Sequence, residues 1–188
     1  MAGHEMLPDD DLGAAGLLHR LHMLLHAAAM SPGDGTVLQL ALTQAMAATG
    51  ADSAVLGTIR DRDVVDMTLL FGAGGPVHDI GGLTLDSRNP LHDAIVRERA
   101  IWLTSFREIQ DAYPRGSALW GHAFAGVPLL HRGVAVGAIG LIHDITSHRF
   151  TTTERTFLGA VADLCASVLA HPEATMWPPR TTAPVIDS

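Results

Sequence analysis

Gly126-Val127-Pro128-Leu129-Leu130-His131-Arg132-Gly133-Val134-Ala135-Val136-Gly137-Ala138-Ile139-Gly140-Leu141-Ile142-His143 is the stretch on which the fold turns. Two β-type runs, His122 to Leu130 and Val134 to His143, flank His131-Arg132-Gly133, whose glycine suits the positive φ of a tight turn. So short a connection makes the runs antiparallel neighbours, because parallel strands need a crossover of a dozen or more residues. Gly137 and Gly140 bring no side chain to the strand and mark a bulge or a close approach of backbone.

Working outward, a second antiparallel pair is expected upstream, Ser53 to Arg60 and Val64 to Gly72, joined by the charged turn Asp61-Arg62-Asp63. Between the pairs, Asn89-Pro90 opens a short helix, Leu91 to Arg99. The β-run Ala100 to Thr104 and an amphipathic stretch, Phe106 to Tyr113, follow, closed by Pro114. Downstream, Thr152/Thr153-Glu154 signals the start of a helix over Thr151 to Ala170, with Phe157, Leu158, Val161, Leu164, Cys165, Val168 and Leu169 on one face. At the other end, Leu12 to Met30 and Thr36 to Thr49 read as helices separated by Ser31-Pro32-Gly33-Asp34-Gly35, with Gly50 as a C-terminal cap. Strands joined by tight turns and flanked by helices give an α+β class: an antiparallel sheet of five to six strands with helices packed on its faces.

A chain of 188 residues with 47 % apolar side chains is long enough for one domain with a proper core. Its 12 basic and 20 acidic residues leave a net charge of −8, and every basic residue is Arg. The missing Lys excludes phosphate-loop and Schiff-base chemistry, and the negative balance argues against nucleic-acid binding. Cys165, the single cysteine, permits neither an internal disulfide nor a cysteine cage for zinc. The longest apolar run, Gly133 to Ile142, falls well short of the roughly 20 residues of a membrane helix, so a cytoplasmic, membrane-free protein is expected. Four pieces emerge: an acidic disordered leader over residues 1–11, a helix over 12–30, a domain body over 31–171 and a disordered, Pro- and Thr-rich tail over 172–188.

Gly126-Val127-Pro128-Leu129, the turn, and then Gly133, Gly137, Ile139, Gly140 and Leu141 resemble the Gly-x-Pro-Leu, turn and Gly-rich strand of GAF domains. Arg149-Phe150-Thr151 through Glu154-Arg155-Thr156-Phe157-Leu158 to Ala162-Asp163-Leu164-Cys165-Ala166 is similar to their final helix, and Pro90 to Thr104 matches in order and spacing. The resemblance spans residues 31–171 and implies a GAF/PAS-like sheet in a stand-alone bacterial sensor of signal transduction. It further implies a small-molecule pocket between sheet and helices, no enzymatic activity, and a homodimer through terminal helices. Kinases, phosphatases and transcription regulators are the partner classes it brings.

By the same resemblance, Phe71, Trp102, Phe106, Tyr113, Trp120, His122 and Phe124 are ligand-binding candidates, since aromatic walls with few polar groups suit a small, planar or largely apolar ligand. Each aromatic reads equally as core. The family's Asn-Lys-Phe-Asp-Glu signature for cyclic nucleotides is missing, and a bilin attachment cysteine in the body is too. The cysteine-dependent methionine sulfoxide reductases of this fold need several cysteines, whereas Cys165 sits on an apolar helix face and reads as a buried, inert thiol. The eleven histidines read as surface or structural, none with a metal-site pattern; His22 and His26 have the i,i+4 spacing without a carboxylate. A haem sensor, carried by His122 or His92, and a small enzyme stay as alternatives, alongside a ligand-free interaction scaffold. Asp93 and Arg97 read as an i,i+4 surface pair. The apolar stripe of the first helix, Leu17, Leu18, Leu21, Leu24, Leu25 and Ala28, lies either on its own domain or along the seam of a homodimer. The ligand and any cofactor stay unidentified.

Overall fold

The Arg132-Gly133 turn closes the decisive hairpin with φ of 52° and 80°, the left-handed pair that a two-residue turn between twisted strands requires. In a computed structural model the chain is described over residues 9–31, 33–61, 64–71, 77–84, 89–115, 117–144 and 146–171. The leader residues 1–8, the tail 172–188 and the side chain of Phe71 lie outside the described residues.

The elements run α1 (Asp9–Met30), α2 (Thr36–Thr49), β1 (Ser53–Asp61), β2 (Val64–Phe71), β3 (Val77–Thr84), α3 (Pro90–Val96), β4 (Ile101–Leu103), α4 (Phe106–Ala112), a 3-10 turn (Ser117–Trp120), β5 (Ala123–His131), β6 (Val134–His143) and α5 (Thr152–Leu169). Thus α1 begins at Asp9, three residues before the expected Leu12. One strand, β3, is not among the elements that periodicity and turn chemistry predict. Its Gly81-Gly82 and His78-Asp79 break any alternation, and it is a strand because β2 offers it a partner edge.

All six strands form one sheet in the order β3-β2-β1-β6-β5-β4, every pairing antiparallel. The first strand therefore pairs with the last, and Gly137 explains how closely: a Cβ there would collide with the carbonyl oxygen of Gly57 on β1. Both roles open to this glycine, bulge and close approach of backbone, meet here, since the β5–β6 register also shifts beside it, Leu129 pairing with Gly137 and Leu130 with Ala135.

Strand alternation sends side chains to two layers. On one face Ala54, Leu56, Ala125, Val127, Leu129, Ile139 and Leu141 meet the buried sides of α1, α2 and α5. On the other, Val55, Val65, Met67, Phe124, Ala138 and Ile142 meet α3, α4 and the 3-10 turn. The start of α5 is fixed by Thr151, one residue ahead of the expected cap. Its hydroxyl accepts from Glu154 N at 3.2 Å while the Glu154 carboxylate accepts from Thr151 N at 2.7 Å, the reciprocal capping box. Cys165 is buried in this layer, where loss of solvation pushes the thiol up to about 12 and keeps it un-ionised.

Candidate functional site

The α3 side of the sheet has a strip without side chains. Gly57, Gly126 and Gly140 come from three different strands and all turn to this face, Gly126 directly paired with Gly140. The ring of Phe124 lies over the strip: a Cβ on Gly126 would stand 2.8 Å from its Cε1, and one on Gly140 2.9 Å from its Cε2. Trp120 meets that ring edge-on, centroids 5.2 Å apart at 78°, a favourable aromatic geometry. Both rings are buried, together with Leu91, Ala94 and Ile95 of α3 and Ile109 of α4.

Two helices of seven residues each cover this layer, and both are held by caps. The Asn89 side chain accepts from His92 N at 2.8 Å, with Pro90 in the first turn. Ser105 accepts from Glu108 N at 3.3 Å, and the Glu108 carboxylate returns to Thr104 N at 2.7 Å. The helices are tied to each other by a buried polar pair, Tyr113 Oη donating to Asp93 Oδ2 at 2.9 Å. Arg97 reaches the same carboxylate oxygen at 3.0 Å. Asp93 therefore is no mere surface partner of Arg97, because only 12 % of its side chain is exposed and a phenol from another element shares it. His92 Nδ1 lies 3.8 Å from Asp93 Oδ1, buried and without a hydrogen bond.

A second cluster sits on the α5 side. His143, only 3 % exposed, stacks on His148 with centroids 4.3 Å apart and planes 7° from parallel. Phe150 meets both imidazoles edge-on and lies 5.3 Å from Trp102, over which the Arg155 guanidinium rests at 5.0 Å. Burial, and then neighbouring His148, pull the His143 pKa from 6.5 to about 4, outweighing the pull of Asp52 and Glu154 in the other direction. His148 Nε2 lies 3.1 Å from Glu154 Oε1, so the same glutamate that caps α5 also anchors the stacked pair.

The predicted site residues are thus divided. Trp120 and Phe124 share the α3 layer, and Tyr113 joins it through its hydrogen bond to Asp93 of α3. Trp102 pairs across from Ala125 and points to the opposite face, which corrects its placement in a common pocket with Phe124. Phe106 and His122 meet each other at 5.5 Å, but His122 is exposed and its Nδ1 is 2.6 Å from Asp144 O, which leaves no buried axial ligand there for haem. Asp93 as a buried group was missed, its i,i+4 spacing to Arg97 being the signature of a surface pair. Among the described residues no group of three or more His, Cys, Asp or Glu is arranged to hold a metal ion, and no helix is long and apolar enough to cross a membrane.

The family described as GAF domain matches residues 35–170. The chain belongs to the GAF domain family. Solved structures agree in fold. The GAF domain of the Acinetobacter phosphoenolpyruvate-protein phosphotransferase superposes with a TM-score of 0.69 at 20 % identity, covering 85 % of this chain and 95 % of that one. The corresponding GAF domain from Coxiella burnetii gives 0.64 at 20 % identity, with 82 % and 94 % covered. Free methionine-R-sulfoxide reductase from Neisseria meningitidis, solved with its substrate, gives 0.61 at 16 % identity, with 89 % and 95 % covered. No curated protein matches the chain. At these identities the neighbours establish the architecture, an antiparallel sheet between two helical layers, as that of a GAF domain, a fold used for small-molecule binding and regulation.

Proposed function

We propose that this GAF domain is a non-enzymatic sensor of bacterial signal transduction, cytoplasmic, which takes a small ligand on the α3 side of the sheet and signals through helix-mediated contacts between two copies. The observation that carries the reading is a buried carboxylate–phenol pair, Asp93 and Tyr113, in the same layer as the Trp120–Phe124 rings. Few convergent polar groups beside aromatic walls are the usual composition of a small-molecule site. Tyr113, Trp120 and Phe124 form its wall, with Phe106 and His122 toward the edge of β5. A small, planar ligand with a hydrogen-bond donor or positive charge for Asp93 is the class that fits. Because Asp93 ties α3 to α4 through Tyr113, a ligand that competes for it would change how both short helices sit, and a two-state bias needs no catalysis. The buried, un-ionised Cys165 supports the non-enzymatic assignment against the reductase neighbours, since a thiolate is the reactive form.

One observation favours a second reading, an interaction scaffold without ligand: the Phe124 ring already covers the glycine strip. Native mass spectrometry of the purified chain separates the two. A retained small molecule, lost in Asp93→Asn, supports the sensor. A ligand-free spectrum, together with no thermal stabilisation by a library of planar amines and heterocycles, overturns it in favour of the scaffold.

A further inference from the structure

Helix α1 shows an ordered face to solvent as well as one to the core. Leu17, Leu21, Leu24 and Ala28 pack inward. From Gly13 to Met30 the only permanently charged side chain is Arg20, and it turns to α2, donating to Gln44 Oε1 at 2.5 Å. The outer face repeats in steps of three and four: Ala15, Leu18, His22, Leu25 and Ala29 are all exposed, Leu18 at 67 % and Leu25 at 52 %. That spacing is the seam of two paired helices, and no Asp, Glu, Lys or Arg on it has to be desolvated when a second helix arrives. Beside the seam, Leu18 lines an apolar groove of about 330 Å³ with Leu21, Phe157 and Ala160, which offers space to an apolar side chain from outside.

His22 occupies the middle of the seam, and His26 stands one turn further along, also exposed. Side chains four apart on a helix are neighbours, with Cβ atoms about 5–6 Å apart. Two imidazoles so placed are a bidentate donor for zinc, copper or nickel, but only half of a tetrahedral set. Nothing on α1 beyond Gly13 completes the set in one chain, since the stretch holds no Asp, Glu or Cys. His19 is seven residues from His26, about 10 Å along the axis and out of reach of a shared ion. A twofold axis through the pair would bring the same two imidazoles from a second copy and make four.

We propose that His22 and His26 form a metal-binding clip completed by the same pair of a second copy, so that a divalent first-row ion fastens two α1 helices across the Leu18–Leu25 seam. The inference rests on the reading of α1 as a pairing helix and adds to it a ligand and a stoichiometry.

The test uses the untagged full chain with zinc alone as probe, read by light scattering on a sizing column and by titration calorimetry. Half a zinc ion is bound per chain, the mass shifts toward twice 19.9 kDa, and the dimer dissociation constant falls roughly tenfold or more relative to EDTA, as linkage to a dimer-specific ligand requires. His22→Ala and His26→Ala each abolish the zinc response while leaving the mass distribution in EDTA unchanged or moved toward dimer; His19→Ala keeps the response. One zinc per chain without a change in mass overturns the proposal, as does a response that survives His26→Ala. A dimer in EDTA that zinc leaves unchanged overturns the clip and leaves the pairing reading intact. A chain monomeric with and without zinc at high concentration overturns both.

Discussion

The two faces of the sheet are built to different rules. One is covered by helices of 22, 14 and 18 residues whose buried sides are almost wholly aliphatic. Over the other lie two helices of seven residues, two buried rings and a shared carboxylate. Helices shorter than about 12 residues are marginal by themselves, so α3 and α4 depend on caps and on the Tyr113–Asp93 tie, while the long helices depend on area. A layer held by a few specific contacts is one that a ligand or partner can rearrange, and a layer held by area is one that stays put. The rigid face supplies the frame, and the contact-held face is where a signal has room to act.

Phe124→Ala is the strongest way to break that contrast. Removing the ring from a site where it is fully buried over a glycine strip costs about 3–5 kcal/mol, because the glycines beneath it bring no side chain to fill the void. Chemical denaturation measures it, with Leu158→Ala on the opposite face as the reference at about 2–5 kcal/mol. A loss under about 1 kcal/mol at Phe124 would mean that the α3 layer contributes little to the fold.

Next in size is a pH effect belonging to the α5 side. An unfolded chain binds a proton at His143 near pH 6.5, the folded chain only near pH 4. Between those values the unfolded state carries more protons, so stability falls as pH drops through this window, by on the order of 3 kcal/mol in total, and the residue adds no slope above it. Groups facing the imidazole are His148, Asp52 and Glu154. Urea midpoints at pH 7 and pH 4.5 should differ by less in His143→Phe than in the wild type, since Phe keeps the stack and removes the proton. Equal differences would show that another group carries the acid sensitivity.

The capping box sets a smaller scale. Thr151→Ala removes the acceptor for Glu154 N and the hydroxyl donor to the Glu154 carboxylate, while the backbone N of residue 151 and His148 still hold that glutamate, a loss of about 1 kcal/mol in thermal or urea unfolding. Ser105→Ala, with its longer 3.3 Å bond at the exposed start of α4, should lose less.

How far these faces could be read from the chain differs for a physical reason. The hairpin, α2 and α5 were legible because periodicity and turn chemistry are local, and β6 begins and ends where its residues say it should. Strand β3 was not, as its glycines and His78-Asp79 favour no strand until β2 is beside them. Within the candidate site, Trp120 and Phe124 were legible as aromatics of the body, but which face each meets depends on register: Trp102 and Phe124 lie on neighbouring strands and point opposite ways. Asp93 was illegible because its partner Tyr113 is 20 residues away and on another helix. His143 reads as one of eleven histidines until its burial against His148 is seen.

Tyr113→Phe gives a similarly small change in stability and the sharpest test of the contrast. It deletes one hydroxyl and leaves the ring in place, so the Asp93 carboxylate loses the 2.9 Å donor but keeps Arg97 at 3.0 Å. The net loss should be about 0.5–1.5 kcal/mol, near the lower end because Arg97 still reaches the same carboxylate oxygen. Hydrogen exchange should nevertheless rise in α3 and α4 while α1, α2 and α5 keep their protection, since only the short helices share that bond. If protection fell evenly across both faces, the two layers would open as one unit, and a ligand at Asp93 would have no separate element to move.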